Sequence, residues 1–104
     1  MARKASTANG AMTLESIPNI GSSIAADLHL IGINSPAELI GQEPYKLYKD
    51  LCKVTGQRQD PCVLDTFIAA TRFMSGEPPK PWWHYTEERK ARFSLAAGGI
   101  DLEY

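Results

Sequence analysis

The stretch that decides the fold reads LESIPNIGSSIAADL and runs from Leu14 to Leu28. Its apolar residues recur at helical spacing on both sides of Pro18-Asn19-Ile20-Gly21, which is long enough only for a tight turn. The second helix is predicted to run from about Ser22 to Leu30 and to stop at Gly32, because glycine readily adopts the left-handed conformation that follows a helix end. This stretch therefore predicts two short helices joined by a sharp turn.

The pattern over residues 14–28 matches the helix-hairpin-helix motif. Ile17 and Ile20 are expected to anchor the turn in the core, and Gly21 is expected to have a positive φ or to lie where a Cβ would clash. The second helix then begins with free N–H groups, which bind an anion without a positive side chain and can hold a backbone phosphate whatever the base. The candidate nucleic-acid-binding residues of this turn are Asn19, Ile20, Gly21, Ser22 and Ser23.

The charge of the chain argues against strong, autonomous DNA binding. Its 11 Lys and Arg residues are outnumbered by 12 Asp and Glu residues, which gives a net charge of −1, whereas dedicated DNA-binding domains are usually basic. Residues 14–43 contain four acidic residues and no Lys or Arg. Such hairpins also commonly carry glycine in place of Asn19 and a basic residue near Ser22 or Ser23. Two interpretations remain: contact with a DNA or RNA backbone, and a purely structural hairpin in a protein-interaction or scaffold module.

One basic stripe lies outside the hairpin. Lys46, Lys49 and Lys53 are spaced i, i+3, i+7, so they share one face of a helix. Residues 44–58 also contain Arg58, and Asp50 is the one acidic residue among them. The stripe is either a solvated helix face or the source of the phosphate contacts that the hairpin lacks. We keep its three lysines as candidate nucleic-acid-binding residues.

The remaining helices are predicted from the residue pairs at which they begin. An acidic residue followed by proline opens a helix at Glu43-Pro44 and again at Asp60-Pro61, and Ser35-Pro36 opens a shorter one. The helix from Asp60 to Met74 is apolar enough to be central and buried. Residues 77–81 are too rich in proline for a helix. We predict an all-α fold of about five short helices, with one helix-hairpin-helix (SAM/HhH-like) unit packed on the central helix.

At 104 residues the chain is the size of one domain. We expect a flexible tail at residues 1–12, a helical domain at 13–93 that includes a last charged helix from Thr86 to about Phe93, and an irregular tail at 94–104. No apolar run reaches the roughly 20 residues of a membrane span, and the basic N-terminus lacks the apolar stretch of a signal peptide. A cytoplasmic protein without membrane contact is expected.

Cys52, Cys62 and His84 are weak candidates for a metal or thiol redox site. The spacing C-x9-C matches no zinc pattern, and thiols stay reduced in the cytosol, so we expect no bound metal and no cofactor. Trp82 and Trp83 are expected to fold back over the central helix, although one of them could instead stack on an unpaired base or on a partner's proline. No catalytic arrangement is recognised, so an enzyme is not expected.

Three separated motifs resemble the bacterial pathogenicity-locus family, whose members are often labelled mitomycin-resistance proteins. The motifs are Ile17-Pro18-Asn19-Ile20-Gly21, Asp60-Pro61-Cys62 and Pro81-Trp82-Trp83, and the resemblance covers residues 14–85. It implies a helix-hairpin-helix fold and a role near DNA, in repair or competence, without a catalytic activity. The hairpin half is also similar to the C-terminal domain of TfoX-type competence regulators.

Overall fold

A computed structural model describes residues 4–93, and within this range the chain is all-helical. The α-helices are α1 (Ser22–Leu30), α2 (Pro44–Thr55), α3 (Pro61–Met74) and α4 (Thr86–Phe93). Short 3-10 helices lie at Ala8–Gly10, Leu14–Ser16, Pro36–Leu39 and Trp82–Tyr85. The all-α class is confirmed, with four α-helices where the sequence suggested about five. The predicted tail at 94–104 lies outside the described residues.

The two acid-proline starts behave as their chemistry requires. The carboxylate of Glu43 accepts a hydrogen bond from the Tyr45 N–H at 2.9 Å, and that of Asp60 accepts one from the Cys62 N–H at 2.9 Å. Each carboxylate thereby satisfies one of the N–H groups that a helix start leaves without an intrahelical acceptor. The helix predicted after Ser35 is only one 3-10 turn, which ends at Leu39.

The core is organised around α3, as predicted. Eleven of its fourteen residues are buried, and it packs against α2, α4 and the 3-10 turns Pro36–Leu39 and Trp82–Tyr85. The same core includes Leu14, Ile17, Ile20 and Leu28, so the hairpin and α3 form one apolar cluster. Complete burial of each such side chain stabilises the fold by about 1.5–3 kcal/mol.

The helix α4 is attached to α3 through a buried ion pair. The Asp65 side chain, only 1% exposed, accepts hydrogen bonds from Arg89 Nε at 2.8 Å and from Thr86 Oγ1 at 2.7 Å. A second pair, Arg72 with Glu88, joins the same two helices nearer the surface. Because an isolated buried carboxylate is strongly unfavourable, the position of α4 depends on these partners.

Residues 4–12 lie against the hairpin. The Ala5 N–H donates to the Ser16 carbonyl at 2.7 Å, and the methyl groups of Ala5, Ala8 and Ala11 pack against the core. The sequence led us to expect a flexible tail over residues 1–12; within it the structure gives contacts to Lys4, Ala5, Ala8 and Ala11, whereas Met12 is 81% exposed, and residues 1–3 lie outside the described range. No helix within residues 4–93 is long and apolar enough to cross a bilayer.

Candidate nucleic-acid interface

The hairpin, residues 14–30, has the predicted turn between two helical segments. Its first segment is a single 3-10 turn, Leu14–Ser16, and its second is α1. The side chains of Ile17 and Ile20 are completely buried on either side of the turn, and the Ile20 N–H donates to the Ile17 carbonyl at 3.1 Å. These two isoleucines therefore fix the turn to the core, as the sequence predicted.

The prediction for Gly21 is wrong. Gly21 has φ −99° and ψ −173°, an extended conformation open to any residue, and a Cβ built on it meets nothing within 4 Å. The left-handed residue is Asn19, with φ +77°, the one non-glycine residue of the described chain with a positive φ. Asparagine tolerates this region better than most residues, so the strain of the turn lies two residues earlier than expected.

The start of α1 leaves three backbone amides without an intrahelical acceptor. The first backbone hydrogen bond of the helix runs from the Ala25 N–H to the Gly21 carbonyl at 2.9 Å, so the amides of Ser22, Ser23 and Ile24 precede it. Gly21 provides no side-chain cap, the first turn has no acidic residue, and Gly21, Ser22 and Ser23 are exposed. An anion that approaches this end meets free N–H groups and the positive end of the helix dipole.

Lys4 supplies the positive charge that the hairpin sequence lacks. Its Nζ atom donates to three hairpin carbonyl oxygens, those of Glu15 at 2.7 Å, Ile17 at 3.2 Å and Ile20 at 2.5 Å. Three such bonds need the three N–H groups of an ammonium ion. Partial burial lowers the pKa of Lys4, and the Glu15 carboxylate acts in the opposite direction. No sequence signal marked this residue, because its partners are backbone atoms 11 to 16 residues away.

The four carboxylates that make the hairpin region acidic are not all free charges. Glu15 lies close enough to Lys4 to interact with it electrostatically. Glu38 accepts hydrogen bonds from the Asn34 N–H at 2.9 Å and the Ser35 hydroxyl at 3.2 Å, and Glu43 caps α2. Cations lie near only two of the four carboxylates, since Lys4 interacts with Glu15 and Arg92 Nη2 lies 3.9 Å from Glu43, and Asp27 forms no ion pair within residues 4–93.

The side chain of Asn19 joins the hairpin to the distant proline-rich segment. Its Nδ2 donates to the Lys80 carbonyl at 2.8 Å, and its Oδ1 accepts from the Trp82 N–H at 3.2 Å. Within the 3-10 turn that follows, Tyr85 is buried against the core, whereas 64% of Trp83 is exposed. The segment folds back as expected, but Trp83 is not part of the buried contact.

The lysine stripe is on the surface of α2 but is only partly available. Lys46 forms an ion pair with Asp50 at 2.8 Å, and Lys49 lies over the Tyr45 ring at 5.5 Å from its centroid. Lys53 lines a groove with Leu30, at the C-terminal end of α1. Because α1 rises 1.5 Å per residue, its first amides lie about 12 Å from Leu30. The structure does not bring Lys53 to the amide end of α1.

The weak metal candidates are not brought together. Cys52 is buried, with its Sγ atom accepting a long hydrogen bond from the Gln59 N–H at 3.4 Å, and both cysteines are free thiols. Burial raises the pKa of Cys62, and the Asp60 carboxylate raises it further. The exposed His84 ring packs edge-on against Tyr85. Across residues 4–93 no group of three or more His, Cys, Asp or Glu side chains is arranged to hold a metal ion.

Comparison with known proteins identifies the family. The family model described as Pathogenicity locus matches residues 7–91. The chain is also similar to the mitomycin resistance protein McrB of Streptomyces lavendulae, with 42% identity over 95 residues that cover 91% of this chain and 89% of that protein. No solved structure matches. The matched region includes the hairpin, the capped start of α3 and the segment with the two tryptophans, and the chain therefore belongs to the pathogenicity-locus family.

Proposed function

We propose that this protein binds DNA or RNA weakly and without sequence preference, with its hairpin acting as a helix-hairpin-helix. The observation that carries the proposal is the exposed, uncapped start of α1, where three amides point away from the helix. A phosphate oxygen satisfies such amides directly, and no base edge is involved in the contact.

The surroundings of the α1 start support the proposal. The Lys4 ammonium group donates to a carbonyl oxygen of the same turn, and the Asn19 side chain joins the turn to the backbone of Trp82. A site held from both sides needs little rearrangement, which reduces the entropy lost on binding. Lys4 offsets part of the negative charge of Glu15, whereas Asp27 in α1 forms no ion pair within residues 4–93.

The salt dependence of binding tests this proposal. Neutral amides release no counterions, so with one to three lysines near phosphates the slope of log affinity against log salt should be about −1 to −3, with a Kd of about 1–100 μM at physiological salt. Fluorescence anisotropy with labelled duplex, single-stranded DNA and RNA measures both quantities. Oligonucleotides of different sequence should bind equally well.

A charge-matched pair of variants locates the site. Ser22→Glu puts a carboxylate at the proposed phosphate position, and acidic residues are tolerated at a helix start, so binding should be lost while the fold is kept. Ala37→Glu adds the same charge at another exposed position and should retain most of the affinity. Lys53→Gln should have little effect, because Lys53 lies near the opposite end of α1. If the parent protein binds no duplex, single strand or RNA at low salt, the proposal fails.

A protein-interaction or scaffold module remains the second candidate. It is favoured by the groove between α1 and α2, where Leu30 and Val54 are both more than half exposed beside Asp50 and Lys53. If nucleic acid does not bind, Leu30→Ser and Val54→Ser should reduce the recovery of a protein partner without changing the unfolding midpoint.

The name of the Streptomyces relative supports adding mitomycin resistance to the proposal for this chain. Cells that express the parent protein should survive mitomycin better than cells that express Ser22→Glu at equal abundance. Equal survival would show that resistance does not depend on the proposed binding site.

A further inference from the structure

We propose that Trp83 is a stacking platform for an unpaired base, so that the preferred ligand is single-stranded nucleic acid. This inference rests on the proposed function and names its substrate class. It starts from a contact that joins two distant parts of the chain: the Asn19 side chain bonds to the backbone of Lys80 and of Trp82. The aromatic segment is thereby fixed next to the turn that leads into α1.

The two tryptophans have different environments. Trp82 is half-buried, whereas 64% of Trp83 is exposed, and the two rings meet edge to face at 85° with centroids 5.5 Å apart. Burial in the core accounts for an aromatic side chain at Tyr85 in the same turn, but it does not account for one at Trp83. Covering an exposed indole removes apolar surface from water, and its face suits a planar aromatic partner.

The position of Trp83 is also defined before any ligand arrives. Pro81 restricts the backbone in front of the turn, the His84 N–H donates to the Pro81 carbonyl at 2.9 Å, and Tyr85 anchors the end of the turn in the core. The backbone that carries the Trp83 ring is therefore already ordered, which reduces the entropy lost on stacking.

The distance from Trp83 to the α1 amides suits a short strand. Three Cα–Cα steps of about 3.8 Å separate Asn19 from Ser22; adding the Asn19 side chain, its bond to the Trp82 N–H, the step to Trp83 and the indole side chain puts the ring within about 30 Å of the amides. At about 3.4 Å per nucleotide, about nine nucleotides cover this distance. A strand whose phosphate contacts the start of α1 can therefore reach Trp83 with a nearby base.

Unpaired bases are favoured over duplex because a base inside a duplex has both faces covered by its neighbours. A single strand offers free faces, and aromatic stacking is tolerant of base identity. This agrees with the lack of sequence preference proposed for the amides. Lys80, which forms no ion pair within residues 4–93, adds a cation beside the same path.

The test compares a labelled 12-nucleotide oligo-dT with a 12-base-pair duplex for the parent protein and for Trp83→Ala, Trp83→Phe and His84→Ala. The parent should bind the single strand more tightly, and Trp83→Ala should weaken this binding about 5- to 150-fold while it changes duplex binding less than twofold. Trp83→Phe should recover part of the loss, and His84→Ala, the exposed neighbour, should behave like the parent. Because Trp83 is exposed, Trp83→Ala should unfold at the parent's urea concentration.

Three results would overturn the inference. Equal binding of both DNAs, unchanged in Trp83→Ala, leaves phosphate binding at α1 intact and removes the stacking platform. Binding of a proline-rich peptide that needs Trp83, with no change in single-strand affinity, assigns the ring to a protein partner instead. Absence of binding to either DNA removes the platform together with the proposed function.

Discussion

The strained turn at Asn19 allows one substitution series to separate two contributions to stability. Asn19→Ala keeps a Cβ at a φ of +77° and removes both side-chain hydrogen bonds, to Lys80 and from Trp82. Asn19→Gly removes the same two bonds but also removes the Cβ that the left-handed region disfavours. The difference between the two variants therefore measures the backbone strain less the entropy that glycine adds to the unfolded chain, and the difference between Asn19→Gly and the parent measures mainly the two bonds.

The magnitudes follow from these contacts. Two hydrogen bonds at about 0.5–1.5 kcal/mol each give a loss of about 1–3 kcal/mol for both variants. Alanine adds about 1–2 kcal/mol for a left-handed non-glycine residue, whereas glycine adds about 0.4–1 kcal/mol through the greater entropy of the unfolded chain. We expect Asn19→Ala to be the less stable variant by about 1 kcal/mol, a difference in Tm of about 4–8 °C in a domain of this size.

Urea unfolding followed by far-UV circular dichroism gives both free energies, and tryptophan emission gives an independent signal. Emission should shift to longer wavelength in Asn19→Gly, because the Trp82 backbone loses its contact with the hairpin. Two results would refute this reasoning. If Asn19→Gly is as stable as the parent, the bonds across the hairpin contribute nothing; if Asn19→Ala is the more stable of the two variants by about 0.4–1 kcal/mol, the entropy cost of glycine alone, the left-handed conformation is not strained.

Three further outcomes follow from the structure. Burial raises the pKa of Tyr48 to about 12, so the unfolded chain loses the phenol proton first as the pH rises above 10. Stability should therefore fall by about 2 kcal/mol between pH 9 and pH 11.5 through this group in the parent, and Tyr48→Phe should lack this part of the loss; urea midpoints at the two pH values measure the difference. Arg89→Met should lower the free energy of unfolding by about 3 kcal/mol, because it leaves the Asp65 carboxylate buried with only Thr86 as a partner. Removing both charges, in Asp65→Leu/Arg89→Met, should recover part of this loss; a double variant that is no more stable than Arg89→Met would contradict the reasoning. Gly21→Ala should keep or raise Tm slightly, by the equivalent of about 0.4–1 kcal/mol, since its Cβ meets nothing; a clear loss of stability would restore the original assignment of strain to Gly21.

The parts of the fold that the sequence predicted are those determined by neighbours in the chain. Asp60 and Glu43 cap helices through amides two residues away, and the limits of α1 follow from the turn before Ser22 and from Gly32 with φ +90°. In each case the interacting atoms lie within one or two helical turns, so the pattern of residue types contains the information.

The parts that the sequence did not predict depend on partners far along the chain. Lys4 binds carbonyl oxygens, which every residue type carries, and no composition rule selects Glu15, Ile17 and Ile20. Asn19 was noted as a departure from glycine, but its bonds to residues 61 and 63 positions away could not be inferred. The pairing of Lys46 with Asp50, by contrast, is an i, i+4 pair that the sequence could have revealed.

The two sides of the hairpin are completed at different times while the ribosome makes the chain. Lys4 and its acceptors lie within the first 20 residues, so these three hydrogen bonds require no residue made later. The Asn19 amide must wait for residue 82, and at about 5–20 residues per second this delay lasts about 3–12 seconds. During that interval Asn19 holds its left-handed conformation, or exchanges out of it, without compensation from Trp82. A product truncated before Trp82 lacks the Asn19 bond to the Trp82 N–H and leaves uncovered the part of α3 on which the turn Trp82–Tyr85 packs.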